Sequence, residues 1–185
     1  MGDGIQGVAV TPEGLIWTSY FDEGVFGNFG WSDPLGCNGL VAWRQDGTAA
    51  YAYEPPDGIE RVCDCYAMNA DGNDIWICYD YDFPLVQIRN GQVEAHWQIP
   101  VHGADAFAIS GNQALFRGGY GNQDCYHLLN LADPLAVEKS RFQLRDRQGE
   151  PIKAQRVAGR GDTLFLIRER DIFNLTVDDA KQLCR

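Results

Sequence analysis

Four times along this chain, a short strand-like stretch holding an alanine is followed by a glycine-bearing turn and a second stretch with an aromatic residue. The first copy is Val8-Ala9-Val10, Thr11-Pro12-Glu13-Gly14, Leu15-Ile16-Trp17. The second is Tyr66-Ala67-Met68, Asn69-Ala70-Asp71-Gly72, Asp74-Ile75-Trp76. The third runs Phe107-Ala108-Ile109, Ser110-Gly111-Asn112, Leu115-Phe116, and the fourth Arg156-Val157-Ala158, Gly159-Arg160-Gly161, Leu164-Phe165. Their aromatics, at positions 17, 76, 116 and 165, stand 59, 40 and 49 residues apart. Spacing of that size marks a repeated supersecondary unit that buries its faces only against its neighbours.

A second alignment supports the first. Leu40, Val41, Trp43 and Arg44 match Leu85, Val86, Ile88 and Arg89, and the two runs lead into the turns Gln45-Asp46-Gly47 and Asn90-Gly91. Asp-Gly and Asn-Gly between apolar runs are strong hairpin signals. Helical periodicity is nearly absent. The pattern predicts an all-β fold, a β-propeller of about four blades per chain. It is read as one domain over 1–185, with blades near 5–54, 59–100, 104–150 and 154–185. The tail from Asp178 is expected as a frayed outer strand or a short helical turn. Ala9, Ala67, Ala108 and Ala158 are expected at a crowded hub, and Trp17, Trp76, Phe116 and Phe165 as wedges between sheets. Three full blades and most of a fourth leave closure open, because an open stack exposes strand edges and apolar end faces. One solution is a compact four-bladed ring. The favoured ones are a partial propeller completed by a second chain, as a homodimer, or by a missing segment.

A hydrophobic content of 45% and an aromatic content of 12% describe a folded globule rather than a disordered tail. The formal charge of −11 disfavours nucleic acid and anionic membranes as partners. Met1-Gly2-Asp3-Gly4 lacks the basic and apolar parts of a secretory signal, and no apolar run reaches the roughly 20 residues of a membrane span. The expectation is a soluble, cytoplasmic protein. Six cysteines (Cys37, Cys63, Cys65, Cys78, Cys125, Cys184) are expected as reduced structural thiols. Cys63 and Cys65 are expected on one strand face, in a C-x-C spacing tighter than zinc sites use.

With these motifs in view, the chain resembles the bacterial repeat propellers of the WD40, NHL and YWTD type. The block Ile16-Trp17-Thr18-Ser19-Tyr20-Phe21-Asp22-Glu23-Gly24-Val25-Phe26-Gly27 is similar to bacterial propeller-like proteins in particular. The resemblance implies binding of a ligand or protein across one ring face, sometimes with a central metal and hydrolysis.

In such a ring, loops leaving the second strand and entering the first open on the same face. That gathers Asp22, Glu23, Asp80, Asp82, Asp124, Glu169 and Asp171 with Asp57, Glu60, His102 and Asp105. A carboxylate-rich face suits a basic partner or Ca²⁺. The glycine-rich stretch from Phe21 to Asn38 adds Phe26, Phe29 and Trp31, aromatic anchors for a partner or a sugar ring. His96 and His127 show no convincing partner. The favoured function is non-catalytic binding or scaffolding, without a cofactor, of a protein or small ligand through Phe21, Asp22, Glu23, Phe26, Trp31, Asp80, Asp82 and His102. The alternative is a calcium-dependent hydrolase of lactones or esters, with Asp22, Asp80 and Asp105 at the cation and His102, oriented by Asp105, as general base.

Overall fold

The computed structural model describes residues 1–27 and 32–184. The fold is all-β, with fifteen strands and two short helices among the described residues, and the chain divides into two compact units, Met1–His96 and Trp97–Arg185.

The first unit opens with an antiparallel meander of β1 (Ile5–Val10), β2 (Ile16–Tyr20), β3 (Leu40–Trp43) and β4 (Ala49–Ala52). A single helical turn, α1 (Asp22–Phe26), follows β2. A second meander consists of β5 (Cys65–Asp71), β6 (Asp74–Tyr79), β7 (Pro84–Arg89) and β8 (Gln92–Gln98), whose last two residues fall in the second unit. Asn90 and Gly91, at φ 51° and 68°, connect β7 to β8, as an Asn-Gly hairpin requires. Trp17, Leu40, Ala42 and Tyr53 from the first meander pack in one core with Ile75, Ile77, Tyr79, Val86 and Ile88 from the second. The Tyr53 and Tyr79 hydroxyls, 3.0 Å apart, close this core, and Tyr79 donates to the Glu60 carbonyl at 3.1 Å. Both buried phenols are thereby satisfied.

In the second unit, β9 (Ala106–Ser110), β10 (Gln113–Arg117), β11 (Cys125–Ala132) and β12 (Leu135–Gln143) form a third meander. A fourth has three strands, β13 (Arg156–Arg160), β14 (Thr163–Arg168) and β15 (Asp171–Thr176), and runs into α2 (Val177–Leu183). Ala108, Leu115, Tyr126 and Leu128 pack against Leu164, Leu166, Leu175, Val177 and Ala180. The tail therefore takes the helical of its two expected forms. A capping box explains it: Thr176 Oγ1 accepts from the Asp179 N–H at 3.0 Å, and Asp179 Oδ2 accepts from the Thr176 N–H at 3.0 Å.

Two expectations are corrected. The sheets are not all separate, because Gln98 at the end of β8 makes one parallel bridge to Leu135 of β12. The repeats also do not match residue for residue. Ala9 faces Trp17 and Ala158 faces Phe165 across their ladders, but Asn69 faces Trp76 and Phe107 faces Phe116. Trp17 enters the inter-sheet core of its unit, whereas Ile75 and Ile77 take that place in β6, and Leu115, Leu164 and Leu166 take it in the second unit. Trp76, Phe116 and Phe165 therefore point to the other faces of their strands. A strand alternates faces at every residue, so aromatics that align in the sequence need not share a face. Ala9, Ala67 and Ala108 are buried, but Ala158 is exposed.

Among the described residues no helix is long and apolar enough to cross a membrane.

These contacts set a scale for mutation. Ile77→Ala, which empties a fully buried site, is expected to cost about 2–5 kcal/mol in urea unfolding. Thr176→Ala, which removes only the cap, is expected to cost about 1 kcal/mol.

Candidate functional site

The candidate site of the first unit begins at α1. The Phe21 N–H donates to the Gly4 carbonyl at 3.0 Å, pinning the start of the turn to the N-terminal segment. Gly24 makes the fit possible: a Cβ there would stand 2.7 Å from the Asp3 carbonyl and 2.8 Å from that of Gly4. Val25 is buried with Tyr20, Val41 and Trp43, which turns Asp22 and Glu23 outward and leaves Phe26 65% exposed. Phe21 is half-buried at the N-cap.

The second part forms where β6 ends. Asp80 Oδ1 accepts from the Cys63 and Asp64 N–H groups at 3.0 and 2.9 Å, and the Asp80 N–H donates to the Asp64 carbonyl at 3.0 Å. This clasp ties the approach to β5 to the exit from β6 and puts Asp64 beside Asp80. Burial holds the Asp64 carboxyl above its ordinary range, and the charges of Asp22 and Asp80 push it the same way. Three carboxylates from three separate segments therefore share one neighbourhood. The Cys63 thiol is also pushed up, by burial and then by Asp80, Glu60 and Asp64, which keeps it from acting as a thiolate nucleophile. Cys63 lies ahead of β5 rather than on a strand face shared with Cys65, because the chain turns at the clasp. All six cysteines are free.

Tyr81, Asp82 and Phe83 follow at φ 53°, 61° and 49°. Left-handed backbone costs a residue with a Cβ roughly 1–2 kcal/mol, and three in succession are rarely seen. The Phe83 ring packs 5.7 Å from that of Tyr66, which anchors the loop, while Tyr81 is 59% exposed.

Of the expected binding residues, Phe21, Asp22, Glu23, Phe26, Asp80 and Asp82 thus belong to the first unit, and Asp22 and Asp80 come together around Asp64. Asp64 was not among the expected residues, because nothing in Cys63-Asp64-Cys65 signals that Asp80 folds back onto it. Trp31 and Phe29 lie outside the described residues.

His102 and Asp105 belong to the second unit. His102 is exposed, and its carbonyl accepts from the Tyr120 N–H at 2.9 Å. Asp105 Oδ2 accepts from Arg117 Nη1 at 2.8 Å, and the buried guanidinium also donates to the carbonyls of Gln123 and Ala154 at 3.0 and 2.9 Å. Burial raises the Asp105 pKa, opposed by Arg117. Asp105 thus partners a structural arginine. His127, in contrast to the expectation, has a partner: its Nδ1 lies 2.6 Å from Glu138 Oε2, and Arg141 also reaches Glu138, at 3.2 Å. Burial raises the Glu138 pKa, but the bonds to His127 and Arg141 outweigh it and leave the carboxyl below its ordinary range. Among the described residues no group of three or more His, Cys, Asp and Glu is arranged to hold a metal ion.

Charge is divided unevenly. Up to His96 the chain carries three arginines, no lysine and fifteen acids; from Trp97 on it carries twelve lysines and arginines against eleven acids. The whole acidic excess therefore belongs to the unit that holds the carboxylate cluster.

Comparison with curated proteins found no match. Among solved structures, the chain is similar to the extracellular domain of a protein from B. thetaiotaomicron described as a one component system, at 12% identity and a TM-score of 0.46 over 96% of this chain. It is also similar to an extracellular domain from B. thetaiotaomicron described as part of a hybrid two component system, at 11% identity and a TM-score of 0.35 over 95% of this chain. The chain spans only 21% and 33% of the length of those structures. Residues 56–175 match the model of the YxzG family, well over half of the sequence, and the chain belongs to that family.

Proposed function

We propose that the first unit is a non-catalytic binding module whose acidic, aromatic-rimmed face engages a basic segment of a partner protein. The observation that carries this reading is the convergence of Asp22, Asp64 and Asp80, with Phe26 and Tyr81 exposed on the same segments. Like charges held together destabilise a fold, and a partner's lysines or arginines relieve that repulsion. Phe26 and Tyr81 supply the apolar contact that charge alone lacks. The unit's acidic excess gives long-range attraction for a basic surface.

We further propose that the four meanders are propeller blades. In each unit they follow one another in chain order, with β1 beside β5 in the first and β9 beside β13 in the second. Val8 and Val10 on β1 are 61% and 52% exposed, and Ile172 on β15 is 68% exposed. A second copy of the chain would cover such end faces. Sedimentation equilibrium at micromolar concentration is expected to return the dimer mass; a monomer at every concentration removes this part of the reading.

The acidic face makes two further predictions. Binding to an arginine-rich octapeptide should weaken at least about tenfold in Asp22→Asn combined with Phe26→Ala, and should fall steeply between low and physiological salt. A glutamate octapeptide should not bind. Equal affinity of the parent and the double variant, or for both peptides, counts against the face. Asp64→Asn should separate stability from function. Because burial and its neighbours raise the Asp64 pKa, the folded state loses stability as pH rises through the carboxylate range. The variant should therefore melt higher than the parent at pH 7, lose that advantage at pH 3, and bind the basic peptide less tightly.

A further inference from the structure

We infer that a groove at the opposite end of the same strands is a binding site for a neutral saccharide. It has a volume of about 490 Å³ and is lined entirely by residues of the first unit. Its floor is an aromatic pair, Trp17 and Tyr51, with ring centroids 5.3 Å apart and tilted by 50°. Its rim carries Glu13, Arg44, Asn73 and Asn90. Gly91 keeps the mouth open, with no side chain beyond its Cα above the Tyr51 ring.

This lining has the chemistry of sugar recognition. The half-buried Tyr51 offers a ring on which the C–H face of a pyranose packs, and two carboxamides each present a donor and an acceptor to hydroxyl groups. One carboxylate and one guanidinium balance each other, so the rim has no net attraction for a charged ligand, unlike the carboxylate cluster. The volume lies within the range of small-molecule sites and far exceeds one side chain. The Trp17 indole N–H, buried at the floor, has no hydrogen-bond partner among the described residues. That N–H is sealed beneath the surface of the groove, so Trp17 contributes to the site by packing against the Tyr51 ring.

The rim is also braced before any ligand arrives. Arg89 Nε and Nη2 donate to Asp74 Oδ2 at 3.1 and 2.6 Å, and Gln87 Nε2 donates to the same carboxylate at 2.9 Å. Asp74 follows Asn73 and Arg89 precedes Asn90, so this clamp sets the spacing of the two carboxamides. Asn90 is fixed by its left-handed turn. Arg44 is held by Thr48 Oγ1 and the Ala49 carbonyl at 3.4 and 3.1 Å.

Titration calorimetry of the full chain with cellobiose, chitobiose, maltose and xylobiose tests the site, with sialyllactose as the charged probe. At least one neutral disaccharide is expected to bind saturably, with an affinity indifferent to salt. Tyr51→Ala and Asn90→Gly, which keeps the turn, should each weaken it about tenfold or more, while Phe26→Ala leaves it unchanged. Far-UV circular dichroism and melting confirm that each variant folds. No heat from any neutral probe up to about 10 mM, binding of sialyllactose alone, or full affinity in folded Tyr51→Ala overturns the inference. Because Phe26 and the carboxylates are not part of the groove, failure here leaves the acidic face to stand or fall on its own test.

Discussion

The fold depends on strands that are buried on both faces. In β6, β7 and β10 nearly every residue is inaccessible, whichever way its side chain points. A sheet buried on both sides needs apolar packing against each face, so a single meander of this kind cannot be stable alone. The outer strand β8 shows the other half of the rule, alternating exposed and half-buried residues along its length. With the strand interiors committed to packing, what remains for recognition is the hairpin ends. Both candidate sites of the first unit are made there.

How much of this could be read from the sequence follows from the same geometry. Hairpins announce themselves locally, through Asp46-Gly47, Asn90-Gly91 and Gly111, but Asn69-Ala70-Asp71, read as part of a turn, continues β5, and the chain turns only at Gly72-Asn73. Face assignment does not announce itself, because it depends on which side of each sheet meets its neighbour, and a one-residue difference reverses it. Hence Trp17 and Trp76 look equivalent in sequence and play different packing roles. The acidic character of the loops was legible, and so was the grouping of Asp22 with Asp80. The part played by Asp64 was not, since it arises from an Asp80 side chain bonded to backbone N–H groups sixteen and seventeen residues away. The groove was equally hidden. Its residues come from four hairpin connections and two strands, and none carries a motif.

Electrostatics separates structural charge from displayed charge. Arg117 pairs with Asp105 and His127 with Glu138 at short range, so that removing either acid leaves a buried Arg117 or His127 without its partner. The Asp22, Asp64 and Asp80 group is different. Asp80 is satisfied by backbone donors, but Asp64 is left partly buried beside two like charges. The fold bears that repulsion, together with three left-handed residues immediately beyond it. Two independent strains within one short stretch are the pattern expected where binding rather than stability sets the residue.

The two sites are separated by the length of β6. Asn73 and Asp74 lie at its start, Asp80 just beyond its end, and six residues at about 3.3 Å each place them roughly 20 Å apart. Exposed charges at that distance are screened at physiological ionic strength, where the Debye length is about 8 Å. Neutralising a carboxylate at one end should therefore leave the field at the other almost unchanged. The strand between them is rigidly packed, with Ile75, Ile77 and Tyr79 fully buried, so mechanical coupling would require the core itself to shift. One strand can thus hold a charged, salt-sensitive face at one end and a neutral, salt-indifferent groove at the other, with each evolving separately through its own hairpins.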